Sequence, residues 1–211
     1  MRLLYTDAAL VVVDKSAGQI VHPAPGHETG ALTDELVRRF PEMSSVGSRE
    51  RPGVVHRLDI DTSGVMVFAR TSAAYRDLRR QFESHRDVRK TYLAVCHWRH
   101  GLAPKGTLTS PIDRQAAVSH YEVLGRQGAL ALVRFDIETG RTHQIRIHAA
   151  KELGCPIVGD SLYGDAARDR QLRHKPVRTL LHAVELSFLH PATKKRVTYS
   201  APPPRDLVYA S

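Results

Sequence analysis

Cysteine is almost absent: Cys96 and Cys155 are the only two in 211 residues. Two thiols cannot build the disulfide framework of a small secreted domain, and neither belongs to a Cys-x-x-Cys pair of the kind that marks a zinc ribbon or redox centre. A reducing, cytoplasmic setting is expected. Although there are twelve histidines, His143 and His148 stand five apart and no His-Glu-x-x-His pattern occurs, so no metal is expected. Long apolar runs are missing too. The N-terminal stretch 8–13 is stopped by Asp14 and Lys15, far short of the roughly 20 residues that span a membrane and short for a signal-peptide core. Acidic residues are outnumbered, 22 against 31 Lys and Arg, giving a formal charge of +9. That balance favours a polyanionic partner without naming one.

What is present is ordinary for a globular chain, with 42% hydrophobic and 25% charged residues, and a chain of this length can bury roughly 70% of its extended surface. No repeat or low-complexity segment appears. Pro202 to Pro204 followed by a polar end reads as a loosely held tail over about residues 200–211.

Residues 10–13, β-branched and bounded by Asp7 and the Ser16 to Gly18 turn signal, predict a buried strand. Thr29 or Thr33 is the expected cap of a short helix carrying Leu32, Leu36, Val37 and Phe40, ended by Pro41, and residues 42–53 read as a surface loop. An apolar run follows at 65–69. Residues 72–89 predict a helix with Tyr75, Leu78 and Phe82 on one face and its arginines on a solvated one. Lys90 opens another strand through Cys96. The alternation of Ala131, Val133, Phe135 and Ile137 predicts a strand, and residues 142–153 predict a helix with Ile145, Ala149 and Leu153 on one face, closed by Gly154. Strands and helices mix throughout, with no marked boundary. One α/β or α+β domain over 1–211 is expected.

Three polar constellations sit beside apolar segments: His56-Arg57-Leu58-Asp59, Lys90-Thr91-Tyr92, and the nine residues Gly140-Arg141-Thr142-His143-Gln144-Ile145-Arg146-Ile147-His148. Taken singly, they read as a turn whose Asp59 caps backbone amides, a core tyrosine with its hydroxyl at the rim, and an exposed helical first turn. Taken together and in this order, they resemble the RluA-type family of RNA pseudouridine synthases. The first extends through Ile60-Asp61-Thr62-Ser63-Gly64 to resemble that family's catalytic segment, and the third resembles its second signature. Leu3 to Asp7 with Val12 to Lys15, the stretch 82–92, Pro156 to Asp160 with Tyr163-Gly164, and Leu180 to Ala183 extend the resemblance over nearly the whole chain.

The resemblance implies a pseudouridine synthase-like fold, a central mixed, mainly antiparallel sheet with flanking helices and an active-site cleft. It implies an isomerase that needs no cofactor. The uridine N1–C1′ bond is cut, the base turns, and it is rejoined through C5, with Asp59 as the carboxylate nucleophile. It further implies that Arg146 pairs with Asp59, that Tyr92 lies against a flipped-out base with Ile145 on its other side, and that Arg57 enters the RNA where the target leaves its stack. His56, Thr62, Arg141 and His143 fall among the implied substrate-binding residues. The implied partner is structured RNA, transfer RNA or large-subunit ribosomal RNA, with no membrane, no obligate protein partner and a monomeric state.

Two departures from the family pattern stand out. Ser16 replaces a common proline, and the catalytic pattern begins at the first residues, where many relatives carry an S4-type RNA-binding domain; the chain thus resembles the short members. Arg168, Arg170, Arg173, His174, Lys175 and Arg178, interrupted only by Asp169 among charged residues, are then expected to form a phosphate-contacting loop. The alternatives are a non-catalytic RNA-binding protein of the same fold, against which Asp59, Tyr92 and Arg146 together argue, and a hydrolase using Asp59 with Asp61. That pair needs an irregular turn to converge.

Overall fold

The computed structural model describes residues 1–23, 29–99 and 101–208. The fold is mixed α+β, built on mainly antiparallel strands, and the chain divides into two compact units, residues 1–89 with 185–201 and residues 90–184 with 202 onward.

In the first unit, β1 (Arg2–Thr6) and β2 (Leu10–Lys15) form an antiparallel hairpin. Asp7 closes it, its Oδ1 accepting the Ala9 and Leu10 N–H groups at 2.8 and 2.9 Å. β2 pairs on its other side with β5 (Ser63–Ala69), Leu10 opposite Ala69. Both strands read as near-continuous apolar runs, as strands covered on both faces do, and every residue of β5 is buried. Between them lie α1 (Leu32–Arg39), a 3₁₀ turn (Pro41–Ser45) and the two-residue pair β3 (Gly47–Ser48) and β4 (Arg51–Pro52). The expected threonine cap of α1 is not what the structure uses. Thr33 lies buried inside the first turn, Ala31 is the cap residue, and the Leu32 and Thr33 N–H groups are satisfied by the Ile20 and Val21 carbonyls at 2.9 and 3.0 Å. α2 (Ser72–Ser84) is capped by the Thr71 hydroxyl and ends five residues earlier than its charge pattern suggests, because His85 turns left-handed at φ 59°.

In the second unit, β6 (Arg89–His97) pairs with β9 (Leu130–Ile137), which is flanked by β8 (Ser119–Gln127), with β7 (Lys105–Leu108) outermost. The expected alternation on β9 holds: Ala131, Val133, Phe135 and Ile137 are buried with Ala94, Cys96, Ile145, Ala149 and Leu153. The segment 142–153 is not one helix. A four-residue α-turn, α3 (Gln144–Ile147), opens into a π-helical turn over His148–Glu152, where Leu153 N–H reaches the His148 carbonyl at 2.9 Å. The wider turn suits apolar residues repeating every fourth position. α4 (Ala166–Gln171) follows. β10 (Leu181–Leu189) supplies Glu185–Leu189 to the first unit, where it pairs antiparallel with β11 (Arg196–Ser200). The proline-rich end is no loose tail as far as Val208: α5 (Arg205–Val208) buries Leu207, and Asp206 takes the Arg178 guanidinium on both oxygens at 2.7 and 2.8 Å. No helix among the described residues is long and apolar enough to cross a membrane.

Candidate active site

In the first unit the segment 56–62 is fixed from several sides. His56 accepts the buried Val67 N–H on Nε2 at 3.1 Å, and its ring stacks on Phe82 with centroids 4.5 Å apart. A ring nitrogen that accepts must carry no proton, so this bond also sets the tautomer. Lys15, fully buried at the end of β2, donates from Nζ to the Ser16, Gln19 and Ile60 carbonyls at 3.0, 2.7 and 2.9 Å. Ile60 O accepts the Gly18 N–H as well, and Thr62 N–H donates to Asp59 O. Leu58 and Thr62 point inward, Arg57 is exposed, and Asp59 is half-buried. The backbone under Asp59 is thereby held at both ends while its side chain stays within reach of solvent.

In the second unit Tyr92 stands on β6 opposite Phe135, partly buried against the core to which Ile145 belongs. Lys90, two residues earlier, is buried and donates to the Thr139 carbonyl at 2.8 Å. Burial, and then the Arg141 charge, push its ammonium down to about 8.

The nine-residue signature divides by role. Gln144 is buried; its Oε1 accepts from the Thr139 hydroxyl and the Arg141 N–H at 2.7 and 3.0 Å, and its Nε2 donates to the Val118 carbonyl and Ser119 Oγ. His148, fully buried, lies 2.9 Å from the Ser110 carbonyl through Nε2 and 3.0 Å from Ser119 Oγ through Nδ1. The carbonyl can only accept, so Nε2 carries the proton and Nδ1 accepts the Ser119 hydroxyl. These polar residues of the signature are therefore spent inside the fold, where buried donors and acceptors demand partners. Arg141 donates from Nε to the Ala116 carbonyl at 3.0 Å.

Arg146 is 7% exposed, and the Asp160 carboxylate takes its Nε and Nη2 at 2.7 and 2.8 Å. Burial raises the Asp160 carboxyl, but the Arg146 guanidinium and the Tyr163 and Leu162 N–H groups outweigh it and hold the carboxyl below its ordinary range. Tyr163 completes the clamp. Arg146 lies over its ring, 5.3 Å from the centroid, and its hydroxyl is 3.2 Å from Nδ1 of His143. Gly164 follows because a Cβ there would run into the Asp160 carbonyl.

Within the first unit, then, His56, Arg57, Asp59 and Thr62 share one fixed loop; within the second, Arg141 and His143 lead into the short helical turn that carries Ile145 and Arg146. Lys15, Asp160 and Tyr163 carry positioning contacts that sequence reasoning assigned to none of them. Their signal was present, since each lies in a segment quoted for the resemblance, but the partner was not.

These features, a loop-held aspartate in one unit and a buried, carboxylate-clamped arginine in the other, are found on a fold shared with solved proteins that carry an RNA pseudouridylate synthase domain. The structure of the human protein named RNA pseudouridylate synthase domain containing 4 matches 99% of this chain and 91% of its own, at 27% identity and a TM-score of 0.76. The profile of the RNA pseudouridylate synthase family matches residues 9–151. The chain belongs to that family. Among curated relatives, ribosomal large subunit pseudouridine synthase D of Xanthomonas campestris is 44% identical over 98% of this chain and 67% of its own length. An RNA pseudouridine synthase of Synechocystis is 36% identical over 96% of this chain and 65% of its own length. The chain thus spans about two thirds of the length of these relatives.

Proposed function

We propose that this chain is an RNA pseudouridine synthase that isomerises uridine in structured ribosomal or transfer RNA in the cytoplasm. The observation that carries the reading is the family match over residues 9–151, which takes in Asp59, Tyr92 and Arg146 together. Asp59 is the nucleophile, and its carboxylate reacts transiently at the sugar–base linkage while the N1–C1′ bond breaks. The C5–C1′ bond then forms, C5 gives up its proton, and N1, which carries none in uridine, takes one up, so substrate and product are isomers. Arg146 cannot lose its charge when desolvated and favours the ionised carboxylate. Tyr92 stacks on the extruded base with Ile145, and its hydroxyl assists the departure of the C5 proton. Arg57, exposed at the start of the loop, fills the place the uridine leaves, and His56, Thr62, Arg141 and His143 hold the surrounding strand.

The test is to incubate the purified chain with unmodified ribosomal and transfer RNA transcripts and map pseudouridine by carbodiimide labelling and primer extension. Discrete new stops support the reading. Their absence on every transcript, with RNA binding intact, would leave a binding protein in place of an enzyme.

A further inference from the structure

The basic segment 168–178 is not uniform once its partners are known. Arg168 donates to the Trp98 carbonyl at 3.2 Å, and Arg178 is spent on Asp206 and on the Thr179 and Leu181 carbonyls. Asp169, the one acid of the segment, is turned inward: Oδ1 lies 2.7 Å from His97 Nε2 and Oδ2 accepts the Gly159 N–H. Three carboxylates beside the segment are thus engaged within the fold: Asp169, Asp206, and Asp165, which accepts the Ala167 and Arg168 N–H groups at the start of α4. Facing outward are Arg170, Arg173, His174 and Lys175, all exposed. Lys175 donates to the Arg170 carbonyl, while Arg173 and His174 have no hydrogen bond or ion pair with any described residue. Among the described residues the outward charge of the segment is positive, its neighbouring acids being engaged within the fold.

Arg173, His174 and Lys175 rim a cleft of about 570 Å³ within the second unit, with Leu130, Val158 and Leu180 on its floor and the Arg178-paired Asp206 also in its lining; Arg170 stands at the start of the same segment, on α4. Val177, 93% exposed, stands at its edge. An apolar floor under a cationic rim suits a molecule that is flat and apolar on one side and anionic along the other, as each nucleotide of an unstacked RNA strand is. A cleft of this size holds a ligand of nucleotide dimensions.

We propose that this cleft is an RNA contact additional to the residues assigned to the reaction, with Arg170 and Arg173 meeting backbone phosphates and the floor receiving one unstacked base. The inference rests on the RNA reading above and adds where the strand is gripped. By contrast, two of the three arginines of α2 are already engaged on the surface, Arg79 with Glu83 and Arg80 with Asp77.

The experiment measures anisotropy of a short fluorescein-labelled oligouridylate against salt for the wild-type chain, for Arg170→Glu with Arg173→Glu, and for Arg79→Glu with Arg80→Glu as a control of equal charge change. The first variant is expected to bind about tenfold more weakly and to flatten the log–log salt slope by about 1.4, two contacts at ~0.7 each. The control is expected to stay within about twofold. Val177→Ser, which changes no charge, is expected to weaken oligouridylate several-fold while leaving an abasic ribose-phosphate oligomer unaffected. Equal losses in the first variant and the control would mean that only net charge matters and would overturn the proposal, as would an unchanged slope in the first variant. Melting temperatures equal to wild type confirm folding. Tritium release from uridine-labelled RNA is read in parallel: an active wild type with an unaltered first variant refutes the cleft alone, whereas an inactive wild type with a weakened first variant supports the cleft and refutes the enzymatic reading.

Discussion

Replacing Asp160 by Asn keeps the volume and an acceptor but removes the charge that holds Arg146. The pair is bidentate, with side-chain exposures of 8% for Arg146 and 0% for Asp160. Removing one partner of such a pair strands the other in a poorly solvated place, at a cost of about 3–5 kcal/mol. For a chain of this size that corresponds to a fall in melting temperature of roughly 6–20 °C. Arg146→Met strands the carboxylate instead and should cost a similar amount. Removing both strands neither, so in a denaturation cycle the double variant should lose at least about 2 kcal/mol less than the sum of the single losses. The pH dependence follows from the depressed Asp160 carboxyl. A carboxyl more acidic in the folded than in the unfolded chain contributes stability that is complete above its unfolded value of about 3.9 and is lost as pH falls further through the folded value. Asp160→Asn should therefore flatten the acid limb of the stability curve relative to wild type. Losses that add to within about 0.5 kcal/mol would show that the two residues do not depend on each other, and the reasoning would fail.

Lys15→Met removes the donor shared by three carbonyls; a stability loss of about 3 kcal/mol is expected in urea denaturation, with turnover falling more than RNA affinity because the Asp59 loop loosens. His56→Phe keeps the stack on Phe82 but leaves the buried Val67 N–H without its acceptor, and should cost about 1–3 kcal/mol by thermal melting. Lys90 has a folded value of about 8 against about 10.4 unfolded, so wild-type stability should rise between these two pH values as the folded chain escapes the cost of a buried charge. Lys90→Gln should remove that rise, which pH-resolved denaturation reads directly.

The parts of this fold that the sequence makes visible are those in which one residue type repeats locally. β2 and β5 show as apolar runs and β9 as an alternation, because burial on two faces or one leaves those periods. β8 and β11 do not show, since their patterns are broken by polar residues and their pairing depends on distant strands. The arginines of α2 read correctly as solvated. The signature at 140–148 displays its polar residues plainly, yet only the structure separates Gln144 and His148, consumed by Ser119 and neighbouring carbonyls, from Arg146. The grip of Asp160 on Arg146, of Lys15 on Ile60 and of Asp206 on Arg178 joins residues 14, 45 and 28 positions apart, and no local pattern encodes such a choice of partner. Charge at 168–178 was legible; which of those charges the fold itself uses was not.

The central claim concerns one carboxylate, and the most direct measurement is tritium release from RNA carrying uridine labelled at C5, compared between wild type and Asp59→Asn. Forming the C5–C1′ bond expels the label to solvent, so the expected result is release by wild type, none by Asp59→Asn, and near-equal RNA affinity for both. Release by Asp59→Asn at the wild-type rate would contradict the assignment of Asp59 as nucleophile.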